Sequence, residues 1–308
     1  MKINKPKFWD KKIGLLSLLM LPLSILLILI NEIRKKFTQT RIFNIPVICV
    51  GNIYVGGTGK TPASILLSNE LLRAGKRPTI IRKYYKDHFD EYNLIKNNSK
   101  NLIINKNRVG GLIEAEKLHY NIAILDDGFQ DHKIKKKLSI ICFNEKQLIG
   151  NGLVFPAGPL RERLSSLKRA NIVIINGNKN LKFENKLLNI NKKLEIYYSS
   201  YEPINLDEFR NKKLFVLAGI GNPENFFHLI EENNLKIERK LFFPDHYEFS
   251  KEEMQNIIID AENKGCLVLM TEKDFFRVKD YNLDKLNYLK IKLKILKIEK
   301  LISRINSL

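Results

Sequence analysis

Gly56, Gly57, Gly59, Lys60 and Thr61 crowd the string VGNIYVGGTGKTP. Glycines let backbone N–H groups turn inward around an oxyanion, and a helix that follows adds partial positive charge at its N-terminus. A lysine next to them can reach the β- and γ-phosphates of a nucleotide, and a threonine hydroxyl can ligate Mg²⁺. The candidate cradle is therefore Tyr54, Val55, Gly56, Gly57, Thr58, Gly59, Lys60 and Thr61. Its expected ligands are ATP and Mg²⁺. The usual pattern G-x-x-x-x-G-K-[ST] puts its first glycine where this chain has Tyr54, so the match is not strict. A glycine-rich turn with a chance lysine is the plain alternative.

The second cluster is a carboxylate pair. In NIAILDDGFQDH, Asp126 and Asp127 close a short apolar run. Ligands of parallel α/β sheets sit beyond the C-terminal ends of strands, and a carboxylate there can hold Mg²⁺ directly or through water. Adjacent side chains at a strand end point apart. One of the two can therefore face the metal while the other orients a loop or a water, with Gly128 permitting a sharp turn. The metal candidates are Thr61, Asp126 and Asp127. An ordinary Asp-Gly turn is the alternative.

The flanking elements fit these roles. IPVICVGN predicts a buried strand, and TPASILLSNELLRAGKRP predicts a helix stopped by Gly75. Strand, glycine loop, Lys-Thr and helix is the P-loop order. The later runs IAILDD, LSIICFN and NIVIING read as further strands of a parallel sheet covered by helices on both faces. FPAGPLRE leads into a predicted helix, RLSSLKRA, on which Arg163, Lys168 and Arg169 read as a solvated face. The Lys/Asn-rich stretch GNKNLKFENKLLNINKK reads as a variable or loosely packed region. A second, smaller α/β unit starts near KKLFVLAGIGNPENFF, where Asn222 and Pro223 suit a helix start. CLVLMTEKD repeats the strand-then-polar-end design, and LKIKLKI at 289–295 reads as an edge strand guarded by lysines. The expected organisation is an N-terminal membrane segment over 1–38, a P-loop domain over 39–200 and a smaller α/β domain over 201–308. Cys49, Cys142 and Cys266 lie singly in apolar runs and read as buried strand thiols rather than metal ligands.

Residues 13–30 carry no charge, whereas Lys2, Lys5, Lys7, Lys11 and Lys12 precede them and Arg34, Lys35, Lys36 and Arg41 follow. The run approaches bilayer-spanning length, and no small-residue cleavage site follows it. A spanning helix, a one-leaflet anchor and a buried core helix are all open. Cations on both flanks favour the one-leaflet anchor, with Pro22 as a kink and Phe8 and Trp9 at headgroup level. The 53 Lys and Arg against 33 Asp and Glu give a net charge of +20, which suits an anionic membrane surface or nucleotide. Compositional bias would give the same excess. No aromatic-and-basic motif of a nucleic-acid binder is present, and nothing calls for an obligate protein partner.

Six strings in order, VGNIYVGGTGKTP, ILDDGFQDH, FPAGPLRERLSSLKRA, LAGIGNPENFF, FPDHYEF and TEKDFFRV, resemble the tetraacyldisaccharide 4′-kinase family of Gram-negative bacteria. The resemblance covers about residues 46 to 278, and members of that family also tend to lack the first P-loop glycine. It implies an ATP- and Mg²⁺-dependent kinase that phosphorylates the 4′-hydroxyl of a lipid A disaccharide precursor. It also implies a place at the cytoplasmic face of the inner membrane, anchored here by residues 13–30. Carried over position by position, it makes Asp90 the candidate base and His246 its partner, with Lys60 and Asp127 completing the catalytic set. Glu91, Arg108, Gln130, Arg161 and Glu162 become candidate substrate contacts. Closure of the smaller domain would bring His246 to the nucleotide. Tyr92 replaces a family proline after Asp90-Glu91, and Asp131 precedes His132 where a histidine usually follows the glutamine. His88, His119, His132 and His228 read as surface or supporting residues. A membrane-docked ATPase or GTPase switch without a lipid acceptor is the rival reading.

Overall fold

The computed structural model describes residues 6–86, 88–245 and 247–308. The apolar N-terminal run forms α1 (Leu15–Lys36), and the chain then enters β1 (Val47–Gly51). Next come α2 (Lys60–Arg73), β2 (Pro78–Lys83), α3 (Phe89–Asn98), β3 (Leu102–Asn105) and α4 (Arg108–Lys117). They are followed by β4 (Ile122–Asp126), β5 (Leu138–Asn144), β6 (Ile172–Asn176), α5 (Leu181–Ile190) and β7 (Glu195–Pro203). The C-terminal part adds β8 (Lys213–Ala218), α6 (Pro223–Glu232), β9 (Lys236–Phe242), α7 (Lys251–Asn263) and β10 (Cys266–Thr271). Last come α8 (Glu272–Val278), β11 (Leu286–Leu289), β12 (Ile291–Ile295) and α9 (Ile298–Asn306).

Two compact units result, and they do not follow a single cut in the sequence. Among the described residues, one comprises 6–84, 99–200 and 294–308; the other lies within 85–98 and 201–293. Thus α3 leaves the first unit between two of its strands, and α9 returns to it.

In the first unit the strand order is β12-β7-β6-β5-β1-β4-β2-β3. Every pairing from β7 to β3 is parallel. Parallel neighbours need crossover connections, and buried parallel strands read as unbroken apolar runs rather than alternations. VICVG, IAILD and LSIICFN obey that rule and are buried at every position. β1 lies between β4 and β5, so the C-terminal ends of β1, β4 and β2 present their residues at one edge of the sheet. The second unit holds a parallel sheet in the order β11-β10-β8-β9. The lysine-guarded run ends on sheet edges as expected, with β11 at one rim of the small sheet and β12 at one rim of the large sheet. All the cysteines are free and buried on strands.

Four local expectations change. The stretch after residue 176 is not loosely packed: α5 buries Phe183 and Leu187, with Phe183 edge-on to Phe143 at 5.1 Å. A short amphipathic helix needs few apolar residues to dock, and the Lys/Asn-rich remainder faces water. RLSSLKRA forms a 3₁₀ turn over Leu164–Arg169 rather than an α-helix. Arg169 on it is partly buried, its guanidinium 4.5 Å over the Phe129 ring and paired with Glu162, so it is not a solvated residue. Trp9 is not at the surface either: it is 5% exposed, lies edge-on to Phe155 and donates its indole N–H to the Pro156 carbonyl at 3.0 Å.

The N-terminal run is not a core helix. α1 is continuous through Pro22, and only Ser17 and Ser24 on it are buried. Ser24 Oγ donates to the Val154 carbonyl at 2.9 Å and accepts from the Ala157 N–H at 3.0 Å, and Asn151 Nδ2 donates to Ser17 Oγ at 3.2 Å. Ile28 packs on the core cluster of this unit. The leucines point the other way, with Leu15 73% and Leu19 63% exposed. A core helix would bury them.

Candidate active site

The glycine turn sits where β1 hands over to α2. Asn52, fully buried, braces it from beneath: its Nδ2 donates to Thr58 Oγ1 at 2.9 Å and to the Gly56 carbonyl at 3.2 Å. Gln130 Nε2 donates to the Asn52 carbonyl at 2.9 Å. Tyr54, standing at the missing glycine, is fully buried, and its hydroxyl bonds to Asp10 Oδ1 at 3.2 Å. The segment that holds α1 also braces this turn. Val55 N–H donates to the Pro159 carbonyl at 2.8 Å and Arg161 N–H to the Ile53 carbonyl at 2.7 Å.

Three observations fit this turn to a triphosphate. Gly59 (φ 88°) starts α2, and among the described residues no side chain caps that N-terminus, so its first N–H groups face outward without a side-chain acceptor. Gly57 needs glycine for neither backbone nor packing, because a Cβ built there meets no atom within 4 Å. The space in front of it is open. The cations Lys60, Arg82, Arg108 and Arg161 outnumber the nearby carboxylates Asp126, Asp127 and Asp131, which leaves the site short of negative charge. Burial pushes the half-buried Lys60 ammonium below its ordinary pKa, against the pull of Asp127.

The two aspartates diverge as the sequence suggests, although the sharp turn falls one residue earlier than expected. Asp127 itself adopts the left-handed conformation, with φ 57°. Gly128 is required for closeness instead: a Cβ there would stand 2.8 Å from Leu125 Cβ. Asp126, fully buried, accepts from Thr61 Oγ1 and Ser64 Oγ at 3.1 Å each and from Arg82. Asp127 accepts from Arg161 at 2.7 Å. Burial raises the Asp127 carboxyl, but Lys60 and Arg161 outweigh that and hold it well below the usual carboxylate range. Arg108 donates to the Asp127 carbonyl at 2.6 Å and ion-pairs with Asp131 at 3.6 Å, fixing the strand end from the other side. Glu162 pairs with Arg169, and burial raises its pKa. His132 accepts from Arg169 at 3.0 Å; burial first, then Arg169, brings its pKa down to about 4, so it is a neutral supporting residue.

Thr61 Oγ1 and the Asp126 carboxylate are hard oxygen donors side by side, the type Mg²⁺ prefers. Among the described residues no group of three or more His, Cys, Asp or Glu could hold a metal.

The other unit positions Asp90 and Glu91 on the first turn of α3. Asp90 is 2% exposed, and its Oδ2 accepts from Arg277 at 2.6 Å, with Lys273 at 3.6 Å. Lys273 also donates to Glu91 Oε1 at 3.0 Å. Arg277 is held in turn by the fully buried Asp274 at 2.6 Å and by the Gly219 carbonyl at 2.7 Å. Asp274 accepts from Thr271 Oγ1 and from the Gly219 N–H, and burial, partly countered by Arg277, raises its pKa. His246 lies outside the described residues; the flanking Asp245 and Tyr247 belong to this unit, as Asp90 does.

Residue types alone did not mark Asn52, Ser64, Arg82, Lys273, Asp274 or Arg277. Arg82 offered one signal, a charge inside the apolar run TIIRK. TEKDFFRV was visible as a motif, but its inward-facing members were not.

A sequence profile for Tetraacyldisaccharide-1-P 4'-kinase matches residues 16–308. The Tetraacyldisaccharide 4'-kinase of Pelagibacter ubique is 41% identical over 301 residues, 96% of this chain and 95% of that one. That of Rickettsia bellii is 31% identical, covering 91% of each chain. Among solved structures, LpxK from Aquifex aeolicus in complex with ATP superposes with a TM-score of 0.71 at 26% identity, over 95% of this chain and 99% of that one. With a profile match over nearly its whole length and relatives this similar end to end, the chain belongs to the tetraacyldisaccharide-1-P 4'-kinase family.

Proposed function

We propose that this protein transfers the γ-phosphoryl group of ATP to the 4′-hydroxyl of a tetraacylated glucosamine disaccharide 1-phosphate, a lipid A precursor. The observation that carries the reading is the uncapped α2 N-terminus with Lys60, set beside Thr61 and the Asp126–Asp127 strand end, in a chain of this family. The α2 amides and Lys60 bind the phosphates. Thr61 and Asp126 would hold Mg²⁺, which when bound neutralises charge on the phosphate oxygens. Asp127, tied to Arg161 and close to Lys60, fixes both cations so that they face the phosphoryl group. A sugar hydroxyl hardly ionises at neutral pH, so a positioned base must take its proton. Asp90 and His246 serve as that dyad, with Arg277 and Lys273 orienting Asp90. Glu91, Arg108, Gln130, Arg161 and Glu162 are the candidate substrate-side residues. The unit built on the large sheet binds nucleotide, and the smaller one carries the proton acceptor.

The substrate lies in a membrane, and α1 supports a place there. Its contacts with its own unit run from Ser17 to Ile28, about 16 Å at 1.5 Å per residue. A helix held along that length offers its leucine side to one leaflet, as an in-plane anchor does. Lys11, Lys12, Arg34, Lys35 and Lys36 flank it and suit the anionic cytoplasmic face.

The test is transfer of label from γ-labelled ATP to the detergent-dispersed disaccharide lipid. Wild type transfers it; Lys60→Ala and Asp127→Asn lower kcat by about 10²–10³, the scale for removing one charge-stabilising group. His246→Ala loses no more than they do, because phosphoryl transfer depends chiefly on positioning and charge. ATP hydrolysis with no lipid labelling would favour the switch reading instead.

A further inference from the structure

Arg277 is held between two buried carboxylates. Its Nη2 donates to Asp90 Oδ2 at 2.6 Å and its Nη1 to Asp274 Oδ1 at 2.6 Å. Asp90 has a part in the function proposed above; Asp274, fully buried on α8, has none. Helix capping alone does not account for Asp274. Thr271 Oγ1 and the Gly219 N–H both engage its Oδ2, which would suffice for a helix start, and its Oδ1 is given to Arg277. Arg277 and the Gly219 N–H can only donate, so Asp274 meets them as a carboxylate. The group is tightly built: a Cβ on Gly219 would stand 3.1 Å from Asp274 Oδ1 and 3.3 Å from Arg277 Nη1. Lys273 on α8 also faces Asp90, and it is shared with Glu91, which His88 contacts. In the reading above His246 is the further neighbour. A guanidinium acting on Asp90 undivided would drive its proton affinity down and make it a poor base. Divided between two carboxylates, it holds Asp90 in place with less of that penalty.

We propose that Asp274 is a positioning residue that acts through Arg277: it pins the guanidinium against Asp90 and offsets part of its charge, so that Asp90 stays oriented yet keeps the proton affinity a base needs. The proposal rests on the reading of Asp90 as the proton acceptor.

The test is the pH profile of kcat/KM for lipid phosphorylation by full-length protein at saturating ATP. Its acid limb reports the base, here Asp90 and His246 as a coupled pair. Asp274→Asn keeps the shape and removes the charge. Arg277 then acts undivided, so the acid limb should move to lower pH by about one unit while the plateau falls. Arg277→Met removes the cation and should move the limb the other way, to higher pH. A cap or brace without an electrostatic role lowers activity and leaves the limb in place. An unmoved limb in Asp274→Asn, or shifts of the same sign in the two variants, therefore overturns the proposal. Asp274→Ser, which keeps an acceptor for Gly219, takes the place of Asp274→Asn should that variant not fold. Asp90→Asn separates the two readings. Full activity in it overturns the proton-acceptor reading and the proposal together; lost activity, with the limb of Asp274→Asn unmoved, overturns the proposal alone.

Discussion

Asp127 shows how a single residue shapes the site. Its left-handed backbone, which aspartate tolerates better than most residues, turns its carboxylate away from Asp126 and onto Arg161. Because Lys60 and, after it, this pairing depress the carboxyl pKa against the effect of burial, the pairing stabilises the fold above the ordinary carboxylate value of about 4 and is lost as pH falls through the depressed one. Arg161→Met should therefore cost roughly 1–3 kcal/mol at neutral pH. The gap to wild type should narrow below about pH 4. Urea unfolding on both sides of that pH checks it, and a constant gap would mean that Arg161 acts by packing. The aspartate pair stood out only in company with the glycine loop, because an Asp-Gly turn closing an apolar run is common on its own. Arg82 was not legible as a partner, since Asp126 lies 44 positions away and only β2 beside β4 brings them together.

At the scale of elements, the P-loop order was plain in the sequence because strand, turn and helix each carry a local signal. What was not readable was which glycines serve the fold and which serve the ligand. Gly59 needs its left-handed backbone, so Gly59→Ala should cost about 1 kcal/mol of stability. Gly57→Ala should leave stability within about 0.5 kcal/mol of wild type, yet weaken ATP binding by tenfold or more if the open space its methyl group enters is the one in which the proposed function seats phosphate. Thermal melts with and without the ATP analogue separate the two. Equal losses of affinity and stability at Gly57 would show that the space has a packing role after all. The misread α5 and the 3₁₀ turn have one cause: short helices are settled by the core they meet, not by local propensity.

Across the whole molecule, the two α/β units were visible in the sequence but their membership was not. No composition change marks α3 as belonging with residues 201–293, or α9 with the first unit. The apolar N-terminal run was easy to find, but its seating through Ser17 and Ser24 was hidden, because serines in a leucine-rich helix look incidental. That seating yields a separable prediction. Leu19→Asp with Leu23→Asp places charges on the exposed side and should weaken binding to anionic vesicles at least tenfold, about 1.4 kcal/mol. Affinity for ATP should stay unchanged, because the serine contacts remain. Vesicle co-sedimentation and nucleotide titration on the same protein decide it; unchanged sedimentation would remove α1 as the anchor.

Trp9 is the single tryptophan of the chain. Its indole is sealed against Phe155 and tethered to Pro156, within the 151–160 segment that also braces the glycine turn. All tryptophan emission from this protein therefore arises at one dry site, wired by hydrogen bonds to the nucleotide loop. A shift in that segment as phosphates enter would change the colour or intensity of a lone intrinsic fluorophore, giving an optical readout of site occupancy with no dye attached.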